Sequence, residues 1–386
     1  MARLVAESTL DAPPDTYFYR LAHQPVGAAV IGSDDALRLF DPRTLKAAAT
    51  IKSCNAGVTC LETFGARTQG HSSEHQQQQH QNVFTTAGRD GLVRLWDTRA
   101  STRTPALHLS EPRSAPISAL ICHSANGNLI AAGTESTKEG LGDVSVVVYD
   151  IRSPNPSAVP VRQYTESHTD SITQLSFHPS QPDLLLSGST DGLISIFDTT
   201  QSEEEDALVQ VLNPRSAVHC AGFFGTDAVY VLSTDEQLWI YGLDPKGTTA
   251  EDEALPILEA GDVRGKLGCM YVVDMLFVND EKQQQQQQQP VLVHGHNENK
   301  TLEIVQVVSS QGFDLGERIG LPGAHGEEVV RDLMILGTEC GRRAISCGED
   351  GFVRLWDLGG GSGEGSAKQS RKQSRKEKKA DRYTPY

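Results

Sequence analysis

The sequence predicts an all-β protein, a seven-bladed β-propeller, and three observations carry this prediction. A short pattern, an Asp-Gly or similar turn followed by an alternating apolar run, an aromatic residue and Asp, recurs along the chain. Successive copies end at Asp41, Asp97, Asp150 and Asp198, about one blade plus a loop insertion apart. The 386 residues suffice for seven such units closed into one domain.

Three copies of the pattern are nearly superposable, and they occupy residues 87–97, 187–198 and 347–357. Four weaker copies occupy residues 32–41, 144–150, 235–241 and 294–305. An Asp-Gly pair between two alternating apolar runs indicates a hairpin, for which we expect a two-residue turn with positive φ at both positions. A single blade cannot bury its own faces, so the seven units are expected to close into a ring.

These residues resemble the WD-repeat family over almost the full length of the chain. The likeness to one member is strongest at residues 167–209, with further matches at Glu135 and at Asp262-Val263-Arg264. The resemblance implies a propeller that closes by taking one outer strand from the opposite terminus, for which the segment from Arg3 to Ala6 is the candidate.

The resemblance also implies a buried, hydrogen-bonded tetrad in each well-formed blade. In the family it contains a His before the blade, a Ser or Thr on the second strand, the turn Asp and the aromatic residue of the third strand. The last blade matches it fully, the fourth has Phe197 in place of Trp, and the second lacks an obvious His. The implied members are His325, Ser346, Asp350 and Trp356, then His168, Ser187 and Asp191, and finally Thr86, Asp90 and Trp96.

Composition favours a soluble protein of a reducing compartment. The seven cysteines are odd in number and form no Cys-x-x-Cys pair, and no apolar stretch approaches the length needed to cross a bilayer. The formal charge is −16, and residues 366–386 hold eight Lys or Arg against two acids, which leaves −22 on residues 1–365. An acidic body disfavours direct DNA binding by the propeller.

Two kinds of segment fall outside the blade pattern, so the propeller is expected to occupy residues 1–358. Residues 69–81 and 283–289 are rich in Gln and are interpreted as loop insertions at blade edges. Residues 359–386 are interpreted as a Gly linker and a disordered basic tail, either a solvated end, an RNA-phosphate contact or a nuclear or nucleolar address. The residues of that address would be Lys368, Arg371, Lys372, Arg375, Lys376, Lys378 and Lys379.

The sequence nominates no catalytic residue, cofactor site or metal site. It contains no Gly-x-Ser-x-Gly elbow, no phosphate-binding Gly loop and no His-Glu-x-x-His motif. The histidines and turn aspartates are better explained as tetrad members, and His294 with His296 would need two further ligands. We therefore expect a protein that is not an enzyme and that needs no cofactor.

Two features could bind partner proteins. The string Trp96-Asp97-Thr98-Arg99 resembles the box by which some propellers dock on the adaptor of the cullin-4 ubiquitin ligase, and Arg152 follows Asp150 with the same spacing. We expect the Asp to fix the loop and the Arg to project outward for a bidentate contact. The second feature is the acidic run of Glu203, Glu204, Glu205 and Asp206, which could hold a basic client such as a ribosomal protein or a histone.

The resulting prediction is a protein-interaction scaffold or assembly factor that is monomeric within larger complexes and has no membrane attachment. The nucleus, with the nucleolus included, is the expected location, and the cytoplasm is the alternative. The alternative function is that of a substrate receptor for the ubiquitin ligase.

Overall fold

A computed structural model shows seven four-stranded antiparallel sheets, which confirms the predicted seven-bladed propeller. The four strands of each blade are called a, b, c and d in the order in which they are hydrogen-bonded across the sheet. Strand a of each blade contacts strand a of a neighbouring blade around most of the ring, and strand d lies outermost. The structure describes residues 1–64, 82–100, 105, 107–123, 128–137, 143–152, 160–244, 254–279, 288–309, 313–337 and 342–359.

The strands of the first four blades follow one another along the chain in the order a, b, c, d. Blade 1 contains β2 (Phe18–Gln24), β3 (Gly27–Gly32), β4 (Leu37–Phe40) and β5 (Ala47–Ile51). Blade 2 contains β6 (Val58–Phe64), β7 (Val83–Gly88), β8 (Leu92–Asp97) and β9 (Leu107–Ser110). Blade 3 contains β10 (Ile117–Cys122), β11 (Leu129–Thr134), β12 (Val146–Asp150) and β13 (Arg162–Tyr164). Blade 4 contains β14 (Ile172–Phe177), β15 (Leu184–Ser189), β16 (Ile194–Asp198) and β17 (Leu208–Leu212).

The last three blades continue this order until the ring closes. Blade 5 contains β18 (Val218–Phe224), β19 (Ala228–Ser233), β20 (Gln237–Gly242) and β21 (Pro256–Asp262). Blade 6 contains β22 (Tyr271–Asn279), β23 (Gln288–His296), β24 (Thr301–Ser309) and β25 (Asp314–Pro322). Blade 7 contains β26 (Val330–Leu336), β27 (Arg343–Gly348), β28 (Val353–Asp357) and, as its outer strand, β1 (Arg3–Ser8).

Closure uses the segment predicted for it. Strand β1 pairs antiparallel with β28, with Arg3 opposite Asp357 and Ser8 opposite Val353. One blade is therefore built from both ends of the propeller, so the last strands cannot separate without breaking this ladder.

The tight b–c turns differ from the two-residue turn expected from Asp-Gly. In blade 4 the Ser189 amide donates to the Leu193 carbonyl, and only Gly192, not Asp191, has a positive φ, of 86°. This is a three-residue loop, a type I turn that ends in a left-handed residue. The expectation of two positive φ values was wrong, because the tetrad requires the turn Asp to remain in an ordinary backbone conformation and aim its carboxylate back at the blade.

The structure describes the end of one of the two Gln-rich segments, 283–289, and none of the other. Strand β23 begins at Gln288, so the end of the second run is strand and not loop. The side-chain amide of Gln306 donates a hydrogen bond of 2.8 Å to Gln289, which ties the run to the neighbouring strand. Residues 69–81, the first part of the second run (283–287) and the basic segment 366–386 lie outside the described residues.

The core lies between blades, where facing sheets bury their apolar side chains. Its largest fully buried side chains include Trp356, Tyr149, Tyr164 and Phe197. In the connections that the structure describes there are two one-turn helices, α1 (Glu204–Ala207) and α2 (Arg264–Leu267). No helix in the described part of the chain is long and apolar enough to cross a membrane.

Candidate partner-binding surfaces

The alternating strand directions sort the connections onto two faces of the ring. The b–c turns and d–a connections lie on one face, here called the upper face. The a–b turns and c–d connections begin on the opposite one, here called the lower face. This division decides which of the predicted residues can act together on one partner.

The tetrads hold the upper face rigid. In blade 7, the His325 ring lies 2.7 Å from Asp350 through Nδ1 and 2.8 Å from Ser346 through Nε2. The Trp356 indole donates a bond of 2.9 Å to the same Ser346 hydroxyl. The structure thus brings together all four residues nominated for this blade, and burial lowers the pKa of His325 against the opposing effect of Asp350.

Blade 4 has the shorter network expected when Phe replaces Trp. The His168 ring reaches Ser187 at 2.7 Å and Asp191 at 3.1 Å. Phe197 offers no indole donor, and its ring instead stacks on Tyr164 at 4.3 Å. Apolar stacking with the preceding blade replaces the missing hydrogen bond.

Blade 2 contains a complete tetrad, of which the sequence predicted only three members. Asn55 stands in the histidine position, and its amide nitrogen donates 3.0 Å to Asp90. The Thr86 hydroxyl donates 2.6 Å to the Asn55 oxygen and accepts 2.8 Å from the Trp96 indole. A long insertion separates Asn55 from Asp90, which hid the usual spacing; the only remaining signal was a polar residue just before strand β6.

Two acidic residues in left-handed turn positions link neighbouring blades where no tetrad histidine is present. Asp35, with φ of 58°, accepts hydrogen bonds from the Gly57 and Val58 amides of the next blade at 3.1 and 3.0 Å. Glu236, with φ of 61°, accepts one from the Val272 amide at 3.1 Å. Burial raises the pKa of Glu236 to about 7.

The centre of the ring carries charged side chains. Arg20 on β2 lies among the carboxylates of Asp332, Asp274 and Glu62 from three other blades; although burial opposes them, they raise its pKa. The Asp332 carboxylate also accepts a 2.8 Å bond from the Leu21 amide, which joins blades 7 and 1.

In blades 2 and 3 the Asp-x-Arg residues form an ion pair within the loop that follows strand c on the lower face. The Arg99 guanidinium donates to Asp97 through Nε at 2.9 Å and through Nη2 at 2.6 Å. Arg152 makes the same contact with Asp150 in the next blade. Both arginines are exposed, as expected, but one edge of each guanidinium is turned back onto its own Asp, and a bidentate contact with a partner stays a prediction. These contacts lower the pKa of both aspartates.

The acidic run in blade 4 is divided between structure and surface. The Glu204 carboxylate accepts hydrogen bonds from the Thr165 and Ser167 amides at 2.6 and 2.8 Å, which anchors the preceding connection. The other three acidic side chains, on Glu203, Glu205 and Asp206, are exposed. Only those three remain available to a partner.

His294 and His296 make separate contacts in the structure. The buried His294 lies 3.7 Å from Glu303, and burial lowers its pKa to about 4. His296 Nδ1 accepts a bond from the Asn299 amide instead. No group of three or more His, Cys, Asp or Glu within the described residues is arranged to hold a metal ion.

A profile of the WD domain, G-beta repeat, matches residues 159–198 and 323–357. These two segments contain the histidine networks of blades 4 and 7. An uncharacterised WD repeat-containing protein of Saccharomyces cerevisiae is 32% identical over 326 residues, which cover 84% of this chain and 74% of the relative. The chain belongs to the WD-repeat protein family.

Two further relatives carry the same family name. An uncharacterised WD repeat-containing protein of Schizosaccharomyces pombe is 32% identical over 60% of this chain and 67% of its own length. The WD repeat-containing protein 89 homolog of Dictyostelium discoideum is 23% identical over 71% of this chain and 68% of its own length. The strong likeness at residues 167–209 is to WD repeat-containing protein 89. WD propellers typically bind other proteins without catalysing a reaction, so a surface for protein partners is the relevant kind of site.

Proposed function

We propose that this chain is a nuclear, non-catalytic scaffold that holds basic client proteins against the acidic rim of blade 4. The observation that carries the proposal is the exposed trio Glu203, Glu205 and Asp206 on a rigid closed ring. Glu204, in the middle of the run, fixes the backbone from which the trio projects. A preorganised acidic surface attracts basic proteins and speeds their capture.

The charge of the whole body supports the same function. Residues 1–365 carry −22, so the long-range field favours basic partners such as ribosomal proteins or histones. One distant relative, 22% identical over 43% of this chain, is named histone acetyltransferase type B subunit 2 of Candida glabrata. That name concerns a histone-modifying complex and makes histones a reasonable first class of client to test.

The experiment compares two variants of equal net charge. The rim variant is Glu203→Gln with Glu205→Gln and Asp206→Asn, and it leaves Glu204 intact. The control carries Glu298→Gln, Glu327→Gln and Glu328→Gln, three exposed positions on the upper face. Binding of each variant to purified core histones is measured first. In a second measurement, the proteins that co-purify with each variant from nuclear extract are identified by mass spectrometry.

We expect the rim variant to bind histones more weakly than the wild type. The affinity that remains should depend less on salt concentration, because exposed charges are screened within about 10 Å at 0.1 M salt. The control should bind like the wild type. Equal losses in both variants would show that total charge, and not the rim, attracts the clients.

Docking on the cullin-4 ligase adaptor is a second candidate, supported by a repeated geometry. Arg99 and Arg152 are held by their aspartates in the same way on adjacent blades of the lower face. Arg264 is paired identically with Asp262, but on the upper face, and so provides a matched control. Arg99→Ala with Arg152→Ala should abolish co-purification of the adaptor, whereas Arg264→Ala should not; retention of the adaptor by the double variant would reject this function.

A further inference from the structure

A shallow aromatic groove opens on the lower face between blades 4, 5 and 6. Its volume is about 220 Å³, and its walls carry the aromatic rings of Phe177, Phe223, Tyr230 and Phe277. Small-molecule pockets occupy roughly 300 to 1,000 Å³, so this groove is of a size for one anchoring side chain of a peptide.

The groove is built into the fold by a missing side chain. Gly222 on β18 leaves the space that the Tyr230 ring occupies, since a Cβ there would lie 2.9 Å from that ring. The Tyr230 hydroxyl reaches across to the Met275 carbonyl of blade 6 at 3.5 Å. Phe277 lies 5.9 Å from the Tyr230 ring and 6.0 Å from the Phe224 ring. The walls are thus fixed by ring packing between blades.

The turns beside the groove carry acidic residues, and the groove lining itself has polar groups. Pro179 and Gly225 in the lining belong to the a–b turns that also carry the exposed carboxylates of Asp183 and Asp227. Neither carboxylate is in an ion pair with a described residue. Gln174 also lines the groove, and its amide could bond a phenolic hydroxyl. An occupant that matches this surface has an aromatic anchor beside positive charge.

We propose that the occupant is the basic segment Lys368–Tyr386 of this same chain. The last described residue, Gly359, follows β28, whose end adjoins the a–b connection of blade 7 through the bond of 2.9 Å from the Leu358 amide to the Arg342 carbonyl. The chain therefore leaves the ring on the lower face, the face of the groove. The segment carries eight Lys or Arg, and Arg382 stands directly before Tyr383, with Tyr386 three residues further on.

Its length is sufficient to reach the groove. The 24 residues from Gly359 to Tyr383 span up to about 80 Å when extended. A folded chain of the size of this propeller has a radius of gyration of about 20 Å. The tethered segment is present at an effective concentration in the millimolar range, so even a weak contact is well populated.

The test uses a fluorescein-labelled synthetic peptide of residues 366–386, titrated against the full chain by fluorescence anisotropy. Wild-type protein should bind the peptide weakly, because its own segment occupies the groove. A full chain with Tyr383→Ser and Tyr386→Ser should bind the labelled peptide about tenfold more tightly, since its internal competitor has lost its anchors. Equal affinity of the two proteins for the peptide would overturn the proposal.

Two further variants, made in the Tyr383→Ser, Tyr386→Ser background, locate the contact. Asp183→Asn with Asp227→Asn should weaken peptide binding at least fivefold. Glu298→Gln with Glu328→Gln removes the same charge from the upper face and should change it less than twofold. If both double substitutions weaken peptide binding equally, the groove does not bind this segment. The same conclusion follows if the Tyr383→Ser, Tyr386→Ser protein does not bind the peptide at all. The rim variant of blade 4 should leave peptide binding unchanged. A failure of the groove proposal can therefore be distinguished from a failure of client binding at the rim.

Discussion

The Asn55 side-chain amide donates a hydrogen bond of 3.0 Å to Asp90 and so replaces the tetrad histidine of blade 2. A carboxamide has one donor and one acceptor end, which suffices to connect the turn Asp to the Thr86 hydroxyl. An imidazole makes the same two connections in blades 4 and 7. The family pattern therefore survives in blade 2 as a hydrogen-bond topology with a different side chain.

Replacement of Asn55 by Ala should destabilise the fold by about 1 to 3 kcal/mol, because the buried Thr86 hydroxyl and the Asp90 carboxylate each lose a partner. The urea midpoint of unfolding measures the loss. Asn299→Ala, in an exposed turn of blade 6, is the control and should leave the midpoint unchanged. Asn55→His should recover part of the stability; an Ala variant as stable as wild type would contradict the tetrad role.

Asp350→Ala should cost about 1 to 3 kcal/mol in blade 7, since His325 and the Phe352 amide both bond to that carboxylate. The hydrogen bond from His325 lowers the pKa of Asp350 against the opposing effect of burial. This carboxylate therefore stabilises the fold above its ordinary pKa, and the contribution disappears as the pH falls through the lowered value. Chemical denaturation at pH 7 measures the effect, with exposed Asp314→Ala as control. An unchanged midpoint would remove Asp350 from the structural network.

The sequence was sufficient for the fold, for the tetrad of blade 7 and for the shorter network of blade 4, because both blades keep the His, Ser and Asp at their ordinary spacing. It was insufficient where geometry decides between uses of one side chain. Nothing in a run of four acids distinguishes Glu204, which bonds to backbone amides, from its exposed neighbours. The Asp97 carboxylate likewise accepts a hydrogen bond from the Arg99 guanidinium. This contact depends on the loop conformation, which the sequence alone does not reveal.

The Glu236 carboxyl should make stability depend on pH in the opposite direction from Asp350. Burial raises its pKa from 4.5 to about 7, so the folded protein holds this proton more tightly than the unfolded chain does. The contribution is fully present below about pH 4.5 and is lost as the pH rises through 7. Glu236→Gln should therefore be more stable than wild type at pH 8 and close to it at pH 5. Thermal unfolding at both pH values measures this, with Glu298→Gln as control; the same difference at both would refute the assignment.

Deletion of residues 368–386 should move a fluorescently tagged protein out of the nucleus, since that segment holds the seven nominated basic residues. The propeller should keep its unfolding midpoint, because the last ladder residue, Asp357, is retained. Replacement of Tyr383 and Tyr386 by Ser, which preserves every positive charge, is the matched control and should remain nuclear. Unaltered nuclear localisation of the deletion variant would remove the proposed address.

Three hydroxyl groups at equivalent positions of strand a join blades 2 to 5. Thr59 donates 2.6 Å to the Ile117 carbonyl, Ser118 donates 2.7 Å to Ile172, and Thr173 donates 2.9 Å to Val218. Each lies at the bulge where the a–b register shifts, which turns the side chain toward the next blade. The carbonyl that accepts the bond belongs in each case to the first residue of the neighbouring strand a, so the three bonds fix the spacing of consecutive blades.

Thr173→Val removes only the hydroxyl and keeps the branched shape, so it should cost about 1 kcal/mol by leaving the Val218 carbonyl without this donor. Thr59→Val should cost a similar amount, and the two losses should add, because the contacts lie in different blade junctions. Thr50→Val on the outer strand β5 is the control. Urea denaturation measures stability, and hydrogen exchange of the Val218 amide region reports opening of the blade 4–5 junction. A Thr173→Val variant with unchanged midpoint and unchanged exchange would show that blade spacing depends on apolar packing alone.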